Sequence, residues 1–250
     1  MSQYYTDFSE YASDVPPTGW TSPFIDDDNF VVVDSTVAGV TGGKVLIMEN
    51  GYAPNETTTW SALGVLSGDV EVLIKVRNTQ AFSADPQVFG RSWGNTSGAA
   101  LHADPTTDRK YEAGWRFNFD GYPQIVKNDG AGTSTTLSSF QAAPPEWLTY
   151  DEWAFFRLRR EGTTLKYNWW KETETEPAGW QQSVTDSDFT SGQVGFNVLG
   201  GTGIAADFFS VGTAGDSAPS GPVATGPETP VNPSITNLLS TSARLTWDQG

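Results

Sequence analysis

Short runs in which apolar and polar residues alternate cover most of the first 213 residues and predict β-strands. Between residues 69 and 77, valine or isoleucine occupies every second position, and Glu71 and Lys75 lie between them. A period of two turns one set of side chains toward a core and the other toward water, so we predict a half-buried strand with one wet face. Residues 115–120 repeat the pattern with three aromatic side chains on one face, which leaves the other face free to meet a ligand.

Turn-forming clusters rich in Gly, Pro, Asn and Asp separate these runs along the chain. We predict further strands at residues 30–33, 44–48, 86–93, 111–120, 123–127, 191–196 and 206–212. No segment shows the 3.6-residue period of a long helix, so the fold is predicted to be all-β.

The longest strand pattern lies between residues 153 and 170. Residues 153–160 alternate between two faces, Glu161 and Gly162 form a turn, and the alternation resumes at Leu165. A strand pair this long and this aromatic predicts a β-hairpin inside a sandwich of two sheets.

Four segments together resemble the concanavalin A-like, laminin-G-like jelly-roll domains. The first reads W-x-x-F-R-L-R-x-x-G-x-x-L-K-Y-x-x-W at residues 153–170, and E-P-x-x-W follows at residues 176–180. The others are S-G-x-V-G-F at residues 191–196 and D-F-F-S-V-G-T at residues 207–213. The resemblance implies a two-sheet antiparallel jelly-roll sandwich over residues 1–213, in which the first strand pairs with the last.

The composition changes after the closing strand. Residues 214–232 are rich in Pro, Gly, Ser and Thr, and this composition predicts a semi-extended linker. Residues 233–250 resemble the first two strands of a fibronectin type III domain, with Trp247 at the place of its core tryptophan. Such a sandwich needs roughly 100 residues, so this module is incomplete.

Composition and charge narrow the range of partners. The formal net charge is −16 with only 14 Lys and Arg, which argues against binding to nucleic acid and to anionic membranes. Cysteine is absent, so disulfides do not stabilise the fold. No apolar run reaches transmembrane length, and the amino terminus shows no secretory signal. We therefore expect no membrane insertion.

The residues needed for catalysis are not found in a recognisable pattern. Glycosidases of the resembled fold use two carboxylates in a strand motif of the form E-x-D-x-x-E, and that string does not occur. Asp69 and Glu71 are the nearest pair on one strand face, and we favour an exposed, solubilising role for them. His102 has no paired histidine or serine motif nearby. We therefore predict a protein without enzymatic activity.

Two clusters of carboxylates suggest a cation site. Asp26, Asp27 and Asp28 are consecutive, and Asp186 and Asp188 lie in a second acidic segment. Calcium binds carboxylate and carbonyl oxygens, and it is frequent in the resembled family. These residues are our candidate calcium ligands, with solvated turns as the alternative interpretation.

Carbohydrate binding on a β-sandwich commonly uses an exposed aromatic ring with polar residues around it. Trp93 and Trp60 lie in polar, loop-like segments and are the candidate stacking residues, with edge packing as the alternative. The candidate polar companions are Arg91, Arg116, Asn118 and Tyr122.

These observations favour a bacteriophage virion protein, such as a fibre, tail or decoration protein, that binds host-surface glycans through its jelly roll. It would be assembled in the host cytoplasm and act outside the cell, with other virion proteins as partners. The analogy with viral fibres extends this expectation to a homo-oligomer. The alternatives are a secreted bacterial carbohydrate-binding module of a polysaccharide-degrading enzyme and an active glycosidase.

Overall fold

The computed structural model describes residues 2–22, 30–49, 56–79, 95–117, 123–131, 133–139, 152–198 and 203–221. The strand predicted at residues 86–93 lies outside these ranges. Within them the chain forms β1 (Ser2–Thr6), β2 (Phe30–Asp34), β3 (Lys44–Glu49), β4 (Glu56–Thr59), β5 (Leu66–Ser67), β6 (Val70–Thr79), β7 (Asn95–Asp104), β8 (Arg109–Phe117), β9 (Pro123–Asn128), β10 (Ser134–Ser139), β11 (Trp153–Glu161), β12 (Thr164–Lys171), β13 (Gln182–Thr185), β14 (Ser191–Val198) and β15 (Gly203–Thr213). A short 3-10 helix, Ser61–Leu63, follows β4.

The strands form two antiparallel sheets that pack face to face as a sandwich. Sheet A has the order β13-β12-β11-β6-β15-β3-β2, and β1 pairs with the part of β15 beyond β3. Sheet B has the order β10-β9-β8-β7-β14-β4, with β5 also paired to β14. This arrangement confirms the predicted all-β, two-sheet fold. The first strand pairs with the last, with Tyr5 opposite Ser210.

The predicted hairpin is β11 and β12, and its register follows the alternation in the sequence. Phe156 lies opposite Trp169, and Glu161 lies opposite Thr164. Gly162 adopts a φ of 57°, a left-handed conformation that glycine tolerates without steric cost. The turn therefore begins where the glycine allows it.

The hydrophobic core lies between the two sheets. Phe196 of sheet B and Phe209 of sheet A meet edge to face, with ring centroids 4.9 Å apart. Trp20 stacks on Trp60 at 5.3 Å beside them. Edge-to-face and offset aromatic contacts add stability beyond the area that they bury, so this group of rings joins the sheets across the middle of the sandwich.

The wet face predicted for β6 is buried, which corrects that prediction. Glu71, Leu73 and Lys75 lie on the outer side of sheet A, and each is less than 5% exposed. Trp170 and Phe208 pack with Leu73 in a small apolar cluster on this side. The sequence pattern identified the strand, but other segments cover its second face.

The boundary predicted at residue 213 is also corrected, because residues 214–221 fold back onto the outer side of sheet A. Ala218 is 3% exposed and packs with the same apolar cluster. The rest of the predicted linker, residues 222–232, and the fibronectin-like residues 233–250 lie outside the described ranges. Among the described residues, no helix has the length and apolarity needed to cross a bilayer.

Candidate functional site

The outer side of sheet B carries an unusual number of buried polar side chains. Core residues alternate along its strands, such as Tyr111 and Trp115 in β8 and Phe196 in β14, and the residues between them point to the opposite side. We call this outer side the sheet-B face. Its members are Thr57, Thr59, Gly98, Ala100, Lys110, Glu112, Gly114, Gln124, Val126, Asn128, Gln193, Gly195 and Asn197.

Small residues form the middle of the sheet-B face. Gly98 of β7 lies between Asn197 of β14 and Gly114 of β8, and Ala100 lies beside Gly195. A Cβ atom on Gly98 or Gly195 would collide with the backbone of the neighbouring strand. The face therefore has a floor without projecting side chains, and longer polar side chains surround it.

Asp108 is the centre of a hydrogen-bonded cluster on this face. It lies in the turn between β7 and β8 with a φ of 61°. Its carboxylate accepts hydrogen bonds from Thr57 Oγ1 at 2.6 Å, Lys110 Nζ at 2.6 Å and Asn128 Nδ2 at 3.1 Å. These three donors come from three different strands, so the carboxylate holds them in one arrangement.

Glu112 is the second carboxylate of the cluster. Its Oε2 lies 3.6 Å from Lys110 Nζ, within ion-pair range but beyond hydrogen-bond distance. Burial raises the pKa of Glu112, and the Lys110 ammonium partly opposes that effect. A carboxyl group in this setting takes up a proton more readily than an exposed one.

Several polar atoms of the sheet-B face are buried without a hydrogen-bond partner among the described residues. Both amide atoms of Asn197 are in this state, and the side chain is 0% exposed. The others are Thr59 Oγ1, Glu112 Oε2, Gln124 Oε1 and Gln193 Oε1. Each such atom costs about 1–3 kcal/mol, so a concentration of them on one face calls for a partner.

The arrangement suits a ligand that carries many hydroxyl groups. Carboxylate and amide oxygens accept hydrogen bonds, whereas the Asn197 amide nitrogen donates them. A hydroxyl group both donates and accepts, so a polyhydroxylated molecule over the small-residue floor would satisfy both kinds of atom.

Trp60 does not have the predicted stacking role. Its indole is 5% exposed and packs on Trp20 and Phe209 within the core, so neither ring face is open to a ligand. The polar Thr57–Thr59 run before it belongs to β4 rather than to a loop, which is why the interpretation of Trp60 was wrong.

The structure does not test the other residues that were predicted to bind carbohydrate. Trp93, Arg91, Asn118 and Tyr122 lie outside the described residues. Arg116 belongs to β8 and takes the same register as Glu112 and Gly114, which places its position on the sheet-B face. The prediction for these residues remains open.

The acidic residues Asp186 and Asp188 bind a lysine. Lys127 Nζ lies 2.8 Å from Asp186 Oδ2 and 2.6 Å from Asp188 Oδ2, and the Tyr111 hydroxyl donates to Asp186. Among the described residues no group of three or more His, Asp or Glu side chains is placed to hold a metal ion. Asp26, Asp27 and Asp28 lie outside those residues, so calcium binding stays a prediction.

The carboxylate pair nominated from the sequence does not form a site. Glu71 is 2% exposed and pairs with Arg157 and Arg159, and Asp69 accepts a hydrogen bond from the Gly162 backbone at 2.7 Å. Both carboxylates therefore have structural partners. The interpretation of Glu71 as an exposed, solubilising residue is wrong.

Sequence reasoning missed Asp108, Lys110, Glu112 and Asn197. A signal was present for Glu112, which alternates with core residues in the strand predicted at residues 111–120, and Lys110 directly precedes that predicted strand in the same alternation. Asp108 and Asn197 gain their positions from the turn and from strand pairing, and no local pattern marks them.

Comparison with known proteins shows the fold. No protein-family model matches the chain, and no curated protein sequence matches it. The carbohydrate binding module CBM66 from Bacillus subtilis superposes with a TM-score of 0.50 and 15% identity, over 78% of this chain and 95% of that one. The GH43 BlXynB protein from Bacillus licheniformis gives 0.51 and 13% over 83% of this chain, but only 38% of its own length is covered.

A third structure is the CBM2 module of the evolved Dit of Lactobacillus casei BL23 phage J-1. It gives a TM-score of 0.49 and 11% identity, over 83% of this chain and 93% of that one. A TM-score below 0.5 supports no conclusion about this chain. The likeness to the two structures that reach this limit supports the jelly-roll sandwich, and identities this low show nothing beyond the fold.

Proposed function

We propose that this chain is a non-catalytic carbohydrate-binding jelly roll whose ligand lies on the sheet-B face. The observation that carries the proposal is the set of buried, unpartnered polar atoms around a floor of glycine and alanine, above all the two amide atoms of Asn197. Sugar hydroxyl groups supply the missing donors and acceptors. The likeness in fold to a structure named as a carbohydrate binding module supports the same reading.

The geometry favours binding over catalysis. Asp108 already accepts hydrogen bonds from three donors, which occupy most of its capacity. Lys110 Nζ lies within 3.6 Å of both Asp108 and Glu112, so a lysine stands at the point where two catalytic carboxylates would receive a glycosidic bond. A pair of carboxylates held by one ammonium is suited to positioning rather than to acid and nucleophile roles.

Glycoside hydrolysis is a second candidate, and one observation favours it. The pKa of Glu112 is raised by burial, as a general acid requires. If the protein hydrolyses glycans, Glu112 is the proton donor, and Glu112→Gln removes the activity. Release of reducing sugar by the parent protein and its loss in this variant would replace the proposal of a binding module.

We further propose the setting in which the module acts. A bacteriophage virion protein, displayed as a fibre, tail or decoration component, is the leading assignment, and it rests on the sequence. The alternative is a secreted bacterial module attached to a polysaccharide-degrading enzyme. Mass spectrometry of purified phage particles and of culture supernatants from the source distinguishes the two, because only one of these samples would contain the chain.

The proposal is tested by glycan-array binding of the full chain, followed by calorimetry on the best glycan. We expect selective binding that Asn197→Ala weakens, since two hydrogen bonds to the ligand are lost. Ser183→Ala, an exposed polar residue on sheet A, is the matched control and leaves binding unchanged. An array without a bound glycan on a folded sample, or equal binding by Asn197→Ala, would overturn the proposal. A parallel titration with chelator tests the predicted calcium.

A further inference from the structure

The segment 214–221 is held as a strap across the outer side of sheet A. It leaves β15 through a turn in which Ala214 and Gly215 adopt φ values of 55° and 92°. The Ala214 N–H donates to Asp69 O at 2.9 Å. Left-handed conformations at two successive residues reverse the chain at once, so the strap returns over the sheet that it has just left.

A buried ion pair binds the backbone of the strap. Glu71 of β6 lies opposite Arg159 of β11 and forms salt bridges with it and with Arg157, which is diagonal to it across the two strands. Glu71 Oε1 accepts the Ala218 N–H at 2.9 Å, and Arg157 Nη1 donates to Ala218 O at 3.0 Å. Both polar groups of one peptide residue are therefore recognised by charged side chains, which form stronger hydrogen bonds than neutral ones.

Three further contacts spread along the strap. Gln3 Nε2 donates to Ser217 O at 2.7 Å, and Ser210 Oγ donates to Pro219 O at 2.7 Å. Arg159 Nη2 donates to Gly215 O at 3.2 Å. These donors come from β1, β15 and β11, so the strap is joined to three strands.

Two small residues allow this close approach. A Cβ atom on Gly212 would collide with Asp216 O, although the φ of Gly212 is one that any residue adopts. Ala218 fits among Leu73, Trp170 and Phe208. The site that Ala218 occupies therefore fits a small side chain, and sheet A recognises the strap through its backbone.

We propose that the strap is an anchor that attaches any chain following residue 221 to the outer side of sheet A. The sheet-B face lies on the opposite side of the sandwich, so it points away from the attachment. The anchoring does not depend on the proposed function, whereas the consequence for ligand access rests on it. A partner or further domain joined through this end would therefore lie on the opposite side of the sandwich from the candidate binding face.

The anchor is tested by pulsed electron paramagnetic resonance on the full chain. Because the sequence has no cysteine, Thr175→Cys and Gly221→Cys can be spin-labelled specifically. Residue 175 is exposed and adjoins Glu176, which pairs with the same Arg157 that binds the strap. We expect one short, narrow distance in the doubly labelled protein. A broad distribution there would overturn the proposal.

Gly212→Val, added to the labelled protein, is designed to expel the strap while leaving the core side of β15 intact. We expect it to convert the narrow distance into a broad, longer distribution. Gly179→Val is the matched control, since nothing lies near a Cβ at that exposed glycine, and it should leave the distance unchanged. An unchanged distance in Gly212→Val would contradict the anchoring. If Gly212→Val does not fold, the distance distribution in the doubly labelled parent protein alone decides whether the strap is anchored.

Ligand access is tested separately by immobilising the protein through a single cysteine. Attachment at Gly221→Cys is expected to preserve glycan binding, and attachment at Thr136→Cys, an exposed residue of β10 at the edge of sheet B, is expected to lose it. The reverse result would show that the orientation is wrong. Absence of binding by the free protein would reject the proposed function and leave the resonance result on the anchor intact.

Discussion

The carboxylate of Asp108 lies 2.6 Å from the ammonium of Lys110, and the lysine is completely buried. A buried ammonium is costly unless a partner and further hydrogen bonds compensate for the lost water. Asp108 supplies that partner, and it also binds Thr57 and Asn128. The pair therefore links the two edges of the sheet-B face around the candidate site.

Asp108→Asn is expected to destabilise the protein by about 3–5 kcal/mol, because the buried ammonium of Lys110 then faces a neutral amide at this position instead of a carboxylate. Asparagine tolerates the left-handed backbone of this position, so the effect reports the charge. Urea unfolding measures it. The double variant Asp108→Asn, Lys110→Met should recover part of the loss, and a single-variant loss below about 1 kcal/mol would show that the pair behaves like an exposed one.

Trp60→Ala is expected to lower the free energy of unfolding by about 3–5 kcal/mol, because it empties a core site between Trp20 and Phe209. Thermal unfolding measures the loss, and Trp60→Phe should cost less. Glycan affinity per folded molecule should stay unchanged. A selective loss of affinity without loss of stability would restore the stacking role that the burial of this ring argues against.

His102 gives the stability a defined pH dependence. Burial lowers its pKa to about 4 from 6.5, although a hydrogen bond to Phe189 O partly opposes the shift. Between these values the unfolded state binds more protons, so stability is complete above pH 6.5 and is lost as the pH falls toward 4. The shift corresponds to about 3 kcal/mol at most.

The check is chemical unfolding of the parent and of His102→Asn at about pH 7.0, 5.5 and 4.5. These conditions run from above the unfolded-state pKa of His102 down toward its folded-state pKa. Asparagine is chosen because His102 has a φ of 49°, which asparagine accepts. The difference between the two proteins should shrink as the pH falls. Parallel curves would show that His102 titrates normally.

Glu112 is expected to give the stability a pH dependence opposite to that from His102, and Glu112→Gln tests it. The pKa of this carboxyl is raised in the folded state, so its contribution is present at low pH and is lost as the pH rises through that pKa. The glutamine variant should therefore gain stability relative to the parent as the pH rises from 4.5 upward, as followed by thermal unfolding. A gain that does not depend on pH would show that Glu112 keeps an ordinary pKa.

Local pattern predicted much of the fold. The alternation in residues 69–77 and 153–170 located β6, β11 and β12, because the two-residue period of a strand can be seen directly in consecutive residues of the sequence. The site was harder to foresee. Thr57 and Asp108 are 51 residues apart and meet only because the sheet brings their strands and turn together. Trp60 looked like a loop residue, since its burial depends on rings that are distant in the sequence.

The sequence by itself determined the strands, their turns and the two-sheet class, because alternation and turn chemistry act between neighbours along the chain. Only the tertiary structure decided that the outer side of β6 is covered, that residues 214–221 belong to the sandwich, and that polar atoms gather on the sheet-B face. Burial and hydrogen-bond satisfaction depend on which distant segments come together. Glu71 shows the reason: its neighbours in sequence predict a solvated carboxylate, and Arg157 and Ala218 make it a buried one.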